Sequence, residues 1–167
     1  TGVVLTGLGP VSVLGIGRAA WQQALARGAA PLASLPAGGA TAEVRDFDQD
    51  ALLPSVKTYL DRTSAFTLAA GQLALADAGM TPDRRDRWRM GVVLGSEFGC
   101  LQTLQTYTAA LQQKGARLAN PLLFSHSYVN TPTSLAAIEF GLGGHHGSFA
   151  GAGAGRQALE SAIDALR

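Results

Sequence analysis

The chain of 167 residues carries 13 basic and 12 acidic side chains, 47% hydrophobic residues and a net charge of +1. This length suits one domain, and the even charge balance excludes charge-driven disorder and the strongly basic surface that binds nucleic acid. A single cysteine, Cys100, excludes an internal disulfide framework and a multi-cysteine metal site, and it favours a reducing compartment, the cytoplasm.

Two apolar stretches are long enough to be tested as membrane segments. Residues 1–17 have no basic flank and are interrupted by Gly and Pro, so they do not resemble a signal peptide. Residues 118–138 are uncharged, but their Asn, Ser, Thr and His content argues against insertion. A basic cluster over residues 84–89 is interleaved with acidic residues and predicts a solvated turn. We therefore expect no membrane partner.

The first half of the chain alternates between strand and helix patterns. Residues 2–9 predict a strand that ends in a glycine turn, and the apolar positions from Ile16 to Leu25 predict a helix. Residues 29–60 show no sustained period and predict a loop with short strands. A strong helix over residues 64–78 and a strand over residues 90–95 follow.

The second half continues this alternation. Residues 101–111 predict a helix that ends near Gly115, and a shorter helix opens at Thr131. Residues 148–150 predict a short strand, which runs through a glycine turn into a last helix over residues 158–166. The pattern predicts an α/β layered domain with a mixed or parallel sheet.

The glycine turn has the G-x-nucleophile-x-G form of a nucleophile elbow. Such an elbow is a strained turn between strand and helix that lifts one side chain above the sheet, next to the helix N-terminus. The five residues are Gly151, Ala152, Gly153, Ala154 and Gly155. The central residue of an elbow is Ser or Cys, whereas here it is glycine, so the sequence predicts either an elbow without a nucleophile or a plain glycine-rich turn.

A second glycine pattern, Gly15-x-Gly17-x-x-Ala20, matches the dinucleotide-binding fingerprint at a junction of strand and helix. Pro10 interrupts the strand that should precede it. The acidic residue expected about twenty positions later would have to be Glu43 or Asp46, beyond a stretch rich in Pro and Gly. The fingerprint is therefore a weak argument for a nucleotide cofactor.

The remaining reactive side chains predict no metal or other cofactor. The acidic pattern over residues 46–50 lacks the glycine and the final glutamate of a calcium loop. His145 and His146 are adjacent, so in a strand they point to opposite faces, and His126 stands apart from both. Cys100 follows a glycine turn and precedes a helix, where it is either a reactive thiol or a small buried residue.

Five segments in order carry a resemblance to a known family. They are Val3-Val-Leu-Thr-Gly-Leu-Gly-Pro-Val-Ser, Leu60-Asp-Arg-Thr-Ser-Ala-Phe, Arg89-Met-Gly-Val-Val-Leu-Gly-Ser, Asn130 ahead of a helix ending Phe140-Gly-Leu-Gly-Gly, and the turn at Gly151. Together they resemble the N-terminal half of a β-ketoacyl-acyl carrier protein synthase, of the thiolase-like fold. The resemblance implies a mixed five-stranded-type sheet covered by helices, with residues 1–167 forming one ketosynthase N-terminal-like domain, truncated relative to the family.

Condensing enzymes of this family acylate a cysteine at the elbow and then attack it with a carbanion made from malonyl-carrier protein. The resemblance aligns that cysteine with Gly153, and it places the two histidines for decarboxylation in a C-terminal half outside this sequence. It therefore implies no catalytic residue here. The implied function is a catalytically degenerate ketosynthase-like protein of fatty-acid or polyketide biosynthesis, acting as a chain-length-factor-type or scaffolding partner of an active ketosynthase.

The resemblance also implies partners. The family forms dimers in which the strand before the elbow pairs across a two-fold axis, so the interface is expected at His146, Gly147, Ser148, Phe149 and Ala150. The partner is then a ketosynthase subunit or a second copy, and an acyl carrier protein is expected as well. Two alternatives stay open. One is an active condensing enzyme completed by a second polypeptide, and the other is a nucleotide-binding oxidoreductase that uses the glycine pattern at residues 15–20.

Overall fold

The structure is a computed structural model, and it describes residues 2–28, 33–34, 40–53, 55, 59–82 and 86–167. Residues 84 and 85 of the predicted basic turn lie outside this set. The chain groups into two compact units. The first unit contains Thr1–Val3, Ser55–Leu68 and Pro82–Arg167, and the second contains Val4–Pro54 and Ala69–Thr81.

The chain contains seven α-helices and six short strands within the described residues. The helices are α1 (Arg18–Ala26), α2 (Gln49–Leu52), α3 (Arg62–Asp77), α4 (Leu101–Lys114), α5 (Pro121–Ser125), α6 (Thr131–Phe140) and α7 (Ala154–Ala165). The strands are β1 (Val11–Ser12), β2 (Gly15–Ile16), β3 (Ala33–Ser34), β4 (Ala40–Thr41), β5 (Val92–Ser96) and β6 (His146–Ala150). Among the described residues, no helix is both long and apolar enough to cross a membrane.

The predicted strand over residues 2–9 is wrong, because the structure gives this segment no strand. Within the second unit it lies against the C-terminal part of α3, where a Cβ on Gly7 would overlap the backbone oxygen of Ala74. The backbone N–H of Leu8 donates to the Asp77 carboxylate at 2.9 Å. The glycines of this segment therefore allow it to approach a helix closely. Its apolar residues alone do not make it pair with another strand.

The glycine pattern at residues 15–20 also differs from a nucleotide site. Gly15 is the first residue of β2, which pairs antiparallel with β1, whereas the dinucleotide fold needs a parallel strand at this place. Gly15 has φ +135°, and a Cβ on it would lie 2.8 Å from the Cβ of Ala20. The glycine is thus required for packing against α1, which accounts for it without a ligand.

The first unit is built on the parallel pair β5 and β6, which run in register from Val92 opposite His146 to Ser96 opposite Ala150. α6 covers one face, where the hydroxyls of Thr133 and Ser148 hydrogen-bond at 2.6 Å. α7 covers the other face, where a Cβ on Gly147 would contact Ser161 at 3.8 Å. Helix, sheet and helix form layers, which confirms the α/β class. The resemblance implied a five-stranded-type sheet, and the described residues of this unit contain β5 and β6 of it.

Two helix starts refine the sequence prediction. α3 begins at Arg62 rather than Ser64, because the Asp61 carboxylate accepts from the backbone N–H of Thr63 at 2.8 Å and so caps the helix. α5 was not predicted, although its start carries a recognisable signal. The side chain of Asn120 accepts from Leu122 N at 3.0 Å and Pro121 occupies the first helical turn, a combination typical of helix N-termini.

Candidate functional site

The elbow lies at the carboxyl ends of the two parallel strands. β6 ends at Ala150, and the backbone N–H of Gly151 donates to Ser96 O at 3.2 Å, so the turn remains attached to the end of β5. Gly151 has φ +98° and Gly153 has φ +78°, both in a region that favours glycine. α7 then begins at Ala154, whose side chain is buried. The predicted sequence of strand, glycine turn and helix is therefore present, with no side chain at its centre.

Position 153 has room for a side chain. A Cβ built on Gly153 meets no atom within 4 Å outside its neighbours, and the same holds at Gly151 and Gly155. The residue has left-handed backbone angles, φ +78° and ψ 6°, and it caps α7 without a side-chain hydrogen bond. The absence of a side chain at position 153 is thus a matter of residue type and backbone conformation, since no neighbouring group fills the space.

Gly95 on β5 sets how closely α7 approaches the sheet below the elbow. A Cβ on Gly95 would overlap the backbone carbonyl of Ala154, the first residue of α7. Only glycine allows the strand and the first turn of the helix to approach this closely. The height of the elbow above the sheet therefore depends on a residue that is distant from it in sequence.

A second turn, residues 96–100, stands beside the elbow at the end of β5. The Gly99 N–H donates to the Ser96 hydroxyl at 3.0 Å, and the Gly99 carbonyl accepts from the Thr63 hydroxyl at 2.7 Å. Ser96 is also the residue that holds Gly151 through its carbonyl. The two turns are consequently joined by hydrogen bonds, and the second is joined to the start of α3.

Asp61 holds the starts of two helices with one buried carboxylate. One oxygen accepts from Thr63 N in α3, and the other accepts from Thr103 N at 3.1 Å and from the Thr103 hydroxyl at 2.7 Å in α4. The side chain is buried, with 4% of the residue exposed. Helix N-termini favour negative charge, so this arrangement stabilises a carboxylate away from water.

Cys100 precedes α4 and is buried, with its sulfur 3.9 Å from the Ser64 hydroxyl. The pKa of the Cys100 thiol is raised from 9.0 to about 11, first by burial and then by the negative charge of Asp61, and the hydrogen bond with the Ser64 hydroxyl opposes both. The reactive-thiol interpretation is therefore wrong, because loss of water and the neighbouring carboxylate outweigh the helix N-terminus. Cys100 is the small buried residue that the alternative predicted.

This raised pKa predicts a loss of stability in alkali. The folded chain retains the Cys100 proton to about pH 11, whereas the ordinary thiol releases it near 9.0. The stabilisation that the protonated thiol gives the folded state is therefore present below pH 9.0 and is lost as the pH rises to about 11. We expect the free energy of unfolding to fall by on the order of 1–2 kcal/mol across that interval. Urea unfolding at pH 9.0 and at about pH 11 would measure the fall in the free energy of unfolding, and Cys100→Ala should reduce it. An equal fall in that variant would contradict the assignment.

The three histidines do not converge. His145 meets the Ser161 hydroxyl of α7 at 3.0 Å, whereas His146 lies on the opposite face of the strand and lines a cleft beside α6. His126 follows α5, and its Nδ1 is buried without a hydrogen-bond partner among the described residues. Within the described ranges no group of three or more ligating side chains could hold a metal ion.

The backbone of β6 is paired with β5 on one side. Val92 N donates to His145 O at 2.9 Å and Gly151 N donates to Ser96 O, which places alternate residues toward β5. In a parallel ladder the intervening residues, His146, Ser148 and Ala150, point their backbone groups the other way. The strands that the structure describes include none on that side, so β6 is an edge strand there.

Comparison with protein families gives one consistent result. The sequence profile described as "Beta-ketoacyl synthase, N-terminal domain" matches residues 8–167. A 3-oxoacyl-[acyl-carrier-protein] synthase 2 from Coxiella burnetii is 31% identical over 151 residues, which are 85% of this chain and 36% of the relative. The ketoacyl synthase beta subunit of the tetracenomycin polyketide synthase from Streptomyces glaucescens is 29% identical, over 99% of this chain and 42% of the relative.

Solved structures give the same fold. A β-ketoacyl synthase from Burkholderia phymatum superposes with a TM-score of 0.81 at 25% identity, over 98% of this chain and 43% of that chain. The ishigamide ketosynthase/chain length factor superposes with a TM-score of 0.71 at 19% identity, which is evidence for the fold alone. This chain thus corresponds to less than half the length of the proteins that it resembles.

Proposed function

Because the chain belongs to the β-ketoacyl synthase family, as its N-terminal domain, we propose that it is a catalytically degenerate member that supports an active ketosynthase. Gly153 carries the proposal. It stands at the centre of an elbow whose strands, glycine turn and helix are all present, and it offers no atom on which an acyl group can be carried. We propose further that residues 1–167 act as one ketosynthase N-terminal domain.

The chemistry of the elbow supports a role without covalent catalysis. The N-terminus of α7 still points its partial positive charge at the turn, so the site keeps an electrostatic preference for negative charge. Acyl transfer needs a nucleophile in addition, and the one thiol of the chain, Cys100, is buried and has a raised pKa. A second polypeptide that supplied histidines would therefore still find no thiol at position 153.

The role that fits such a chain is a chain-length-factor-type or scaffolding subunit in fatty-acid or polyketide assembly. One structural neighbour is a ketosynthase/chain length factor, and another is a type II polyketide synthase acyl-carrier protein in complex with its ketosynthase. A relative at 29% identity is a beta subunit of a polyketide synthase. In this proposal the partners of the chain are a ketosynthase subunit, or a second copy, and an acyl carrier protein.

The proposed interface is β6. Its outward backbone groups, on His146, Ser148 and Ala150, belong to an edge strand, and such an edge binds a further strand through main-chain hydrogen bonds. Gly147 and Phe149 alternate with these residues along the strand. At these two positions β6 packs against α7, which holds the interface strand in place.

The proposal predicts that the isolated chain forms no acyl-enzyme. Incubation with an acyl-loaded carrier protein should leave its intact mass unchanged, because no accessible thiol is present, while a ketosynthase that has the elbow cysteine should gain one acyl group under the same conditions. The chain should also co-purify with a ketosynthase from the producing cell, and omitting it should abolish the product. An acyl adduct on the isolated chain would overturn the proposal.

A further inference from the structure

The elbow lies at the end of a very short sheet. Within the described residues of the first unit, β5 and β6 pair with each other over five residues each. Two strands alone form a marginal sheet, and the ends of such a pair are the first places to open. At the elbow end the last bond runs from Gly151 N to Ser96 O at 3.2 Å, and at the other end Val92 N donates to His145 O at 2.9 Å. The attachment of the elbow therefore depends on how firmly Ser96 is held.

Ser96 is held by the turn that follows it. Its carbonyl accepts from Gly151 N, while its hydroxyl accepts from Gly99 N at 3.0 Å. The bond between this side chain and the backbone closes residues 96–99 into a turn of defined shape. A displacement of Gly99 is therefore passed to Ser96, and through the carbonyl of Ser96 to the elbow.

Gly99 is fixed from two sides. Its carbonyl accepts from the Thr63 hydroxyl of α3 at 2.7 Å. Its φ is +56°, and a Cβ on it would lie 3.0 Å from Cγ2 of Val129, so the turn passes close to the segment ahead of α6. The contact with Val129 limits the approach of the two segments, whereas the hydrogen bond from Thr63 also fixes a direction. Thr63 is itself oriented, because its backbone N–H donates to the buried Asp61 carboxylate at 2.8 Å.

We propose that Thr63, at the start of α3, positions the elbow. Its hydroxyl fixes Gly99, which in turn fixes Ser96. Ser96 then fixes Gly151, the first residue of the elbow. The start of α3 thus supports the elbow from the side, in addition to the close approach that Gly95 allows from below. This support does not depend on the proposed function, because it concerns only bonds within the chain.

Residue-resolved amide exchange in the 167-residue chain, followed by NMR, tests this relay. The measured quantity is the exchange rate of Gly151 divided by that of Val92, because global unfolding raises both rates alike. Thr63→Val removes the hydroxyl and keeps the shape of the side chain, so it should raise the ratio roughly fivefold. Thr63→Ser keeps the hydroxyl and should restore the ratio. Thr67→Val is the matched control and should not change it, since the Thr67 hydroxyl donates to Thr63 O within α3 at 2.8 Å.

Ser96→Ala tests the middle of the relay, and it does so even if Thr63→Val fails to fold. It removes the hydroxyl that accepts from Gly99 N and keeps the carbonyl that accepts from Gly151 N, so it should raise the same ratio. The proposal is overturned if the ratio keeps its wild-type value in either variant that folds. It is also overturned if Thr67→Val or Thr63→Ser raises the ratio as far as Thr63→Val, because the hydroxyl of Thr63 would then have no special part in holding the elbow.

Discussion

A Gly153→Cys variant is expected to carry a thiol that alkylates at neutral pH at least a hundredfold faster than Cys100. The new side chain enters open space at the N-terminus of α7, which lowers a thiol pKa, whereas burial and Asp61 raise the pKa of Cys100 to about 11. The native cysteine is therefore an internal reference on the same molecule. Iodoacetamide labelling followed by peptide mass analysis would measure both rates.

The matched control is Ala152→Cys, one residue earlier on the same exposed turn. Equal rates at the two positions would show that the turn does not activate a thiol, and the elbow interpretation would fail. The Gly153 substitution should also lower the free energy of unfolding by roughly 1–2 kcal/mol, because residues other than glycine adopt its left-handed backbone conformation at a cost. Gly153→Asn should lose less than Gly153→Cys, since asparagine tolerates that conformation.

Asp61→Ala is expected to lower the free energy of unfolding by on the order of 3 kcal/mol. The change leaves Thr63 N, Thr103 N and the Thr103 hydroxyl without the carboxylate that now accepts from them, in a buried place. The starts of α3 and α4 both depend on these bonds, so both helices are affected. Urea unfolding followed by circular dichroism would give the difference.

Asp48→Ala provides the comparison for Asp61, because Asp48 caps the short helix α2 through Ala51 N at 3.1 Å in an exposed position. Loss of an ordinary exposed cap costs about 1 kcal/mol. A loss at Asp61 no larger than that at Asp48 would show that the buried carboxylate contributes only as one helix cap, and that its bonds to Thr103 add nothing.

Local chemistry was enough to predict the five longer helices and the glycine turn between β6 and α7, whereas the short helices α2 and α5 were not predicted. Glycine with positive φ ends α4 at Gly115 and α6 at Gly141, as helix-stop signals predict. The alternation rule placed His145 and His146 on opposite faces, and the structure confirms it. These features depend on a few neighbouring residues, which is why a single sequence reveals them.

The failures have a different physical cause. Whether residues 2–9 pair as a strand depends on distant partners, and here Gly7 brings the segment against α3 instead. The chemical state of Cys100 depends on Asp61, and the approach of α7 to β5 depends on Gly95 and Ala154, which are far apart in sequence. Hydrophobic periodicity carries no information on such pairs.

Positions along β6 alternate between those that pack against α7 and those whose backbone groups point to the open edge, so substitutions at the two sets of positions have different effects. Substitutions at Gly147 and Phe149 disturb the packing of α7, so they alter stability before they alter association. His146 and Ala150 are exposed, and both point their backbone groups to the open edge. In the proposed interface, one or two surface substitutions at these positions would therefore change the chain with which β6 assembles while the interior stays the same. Gene duplication followed by such changes would yield subunits that pair with each other in preference to themselves.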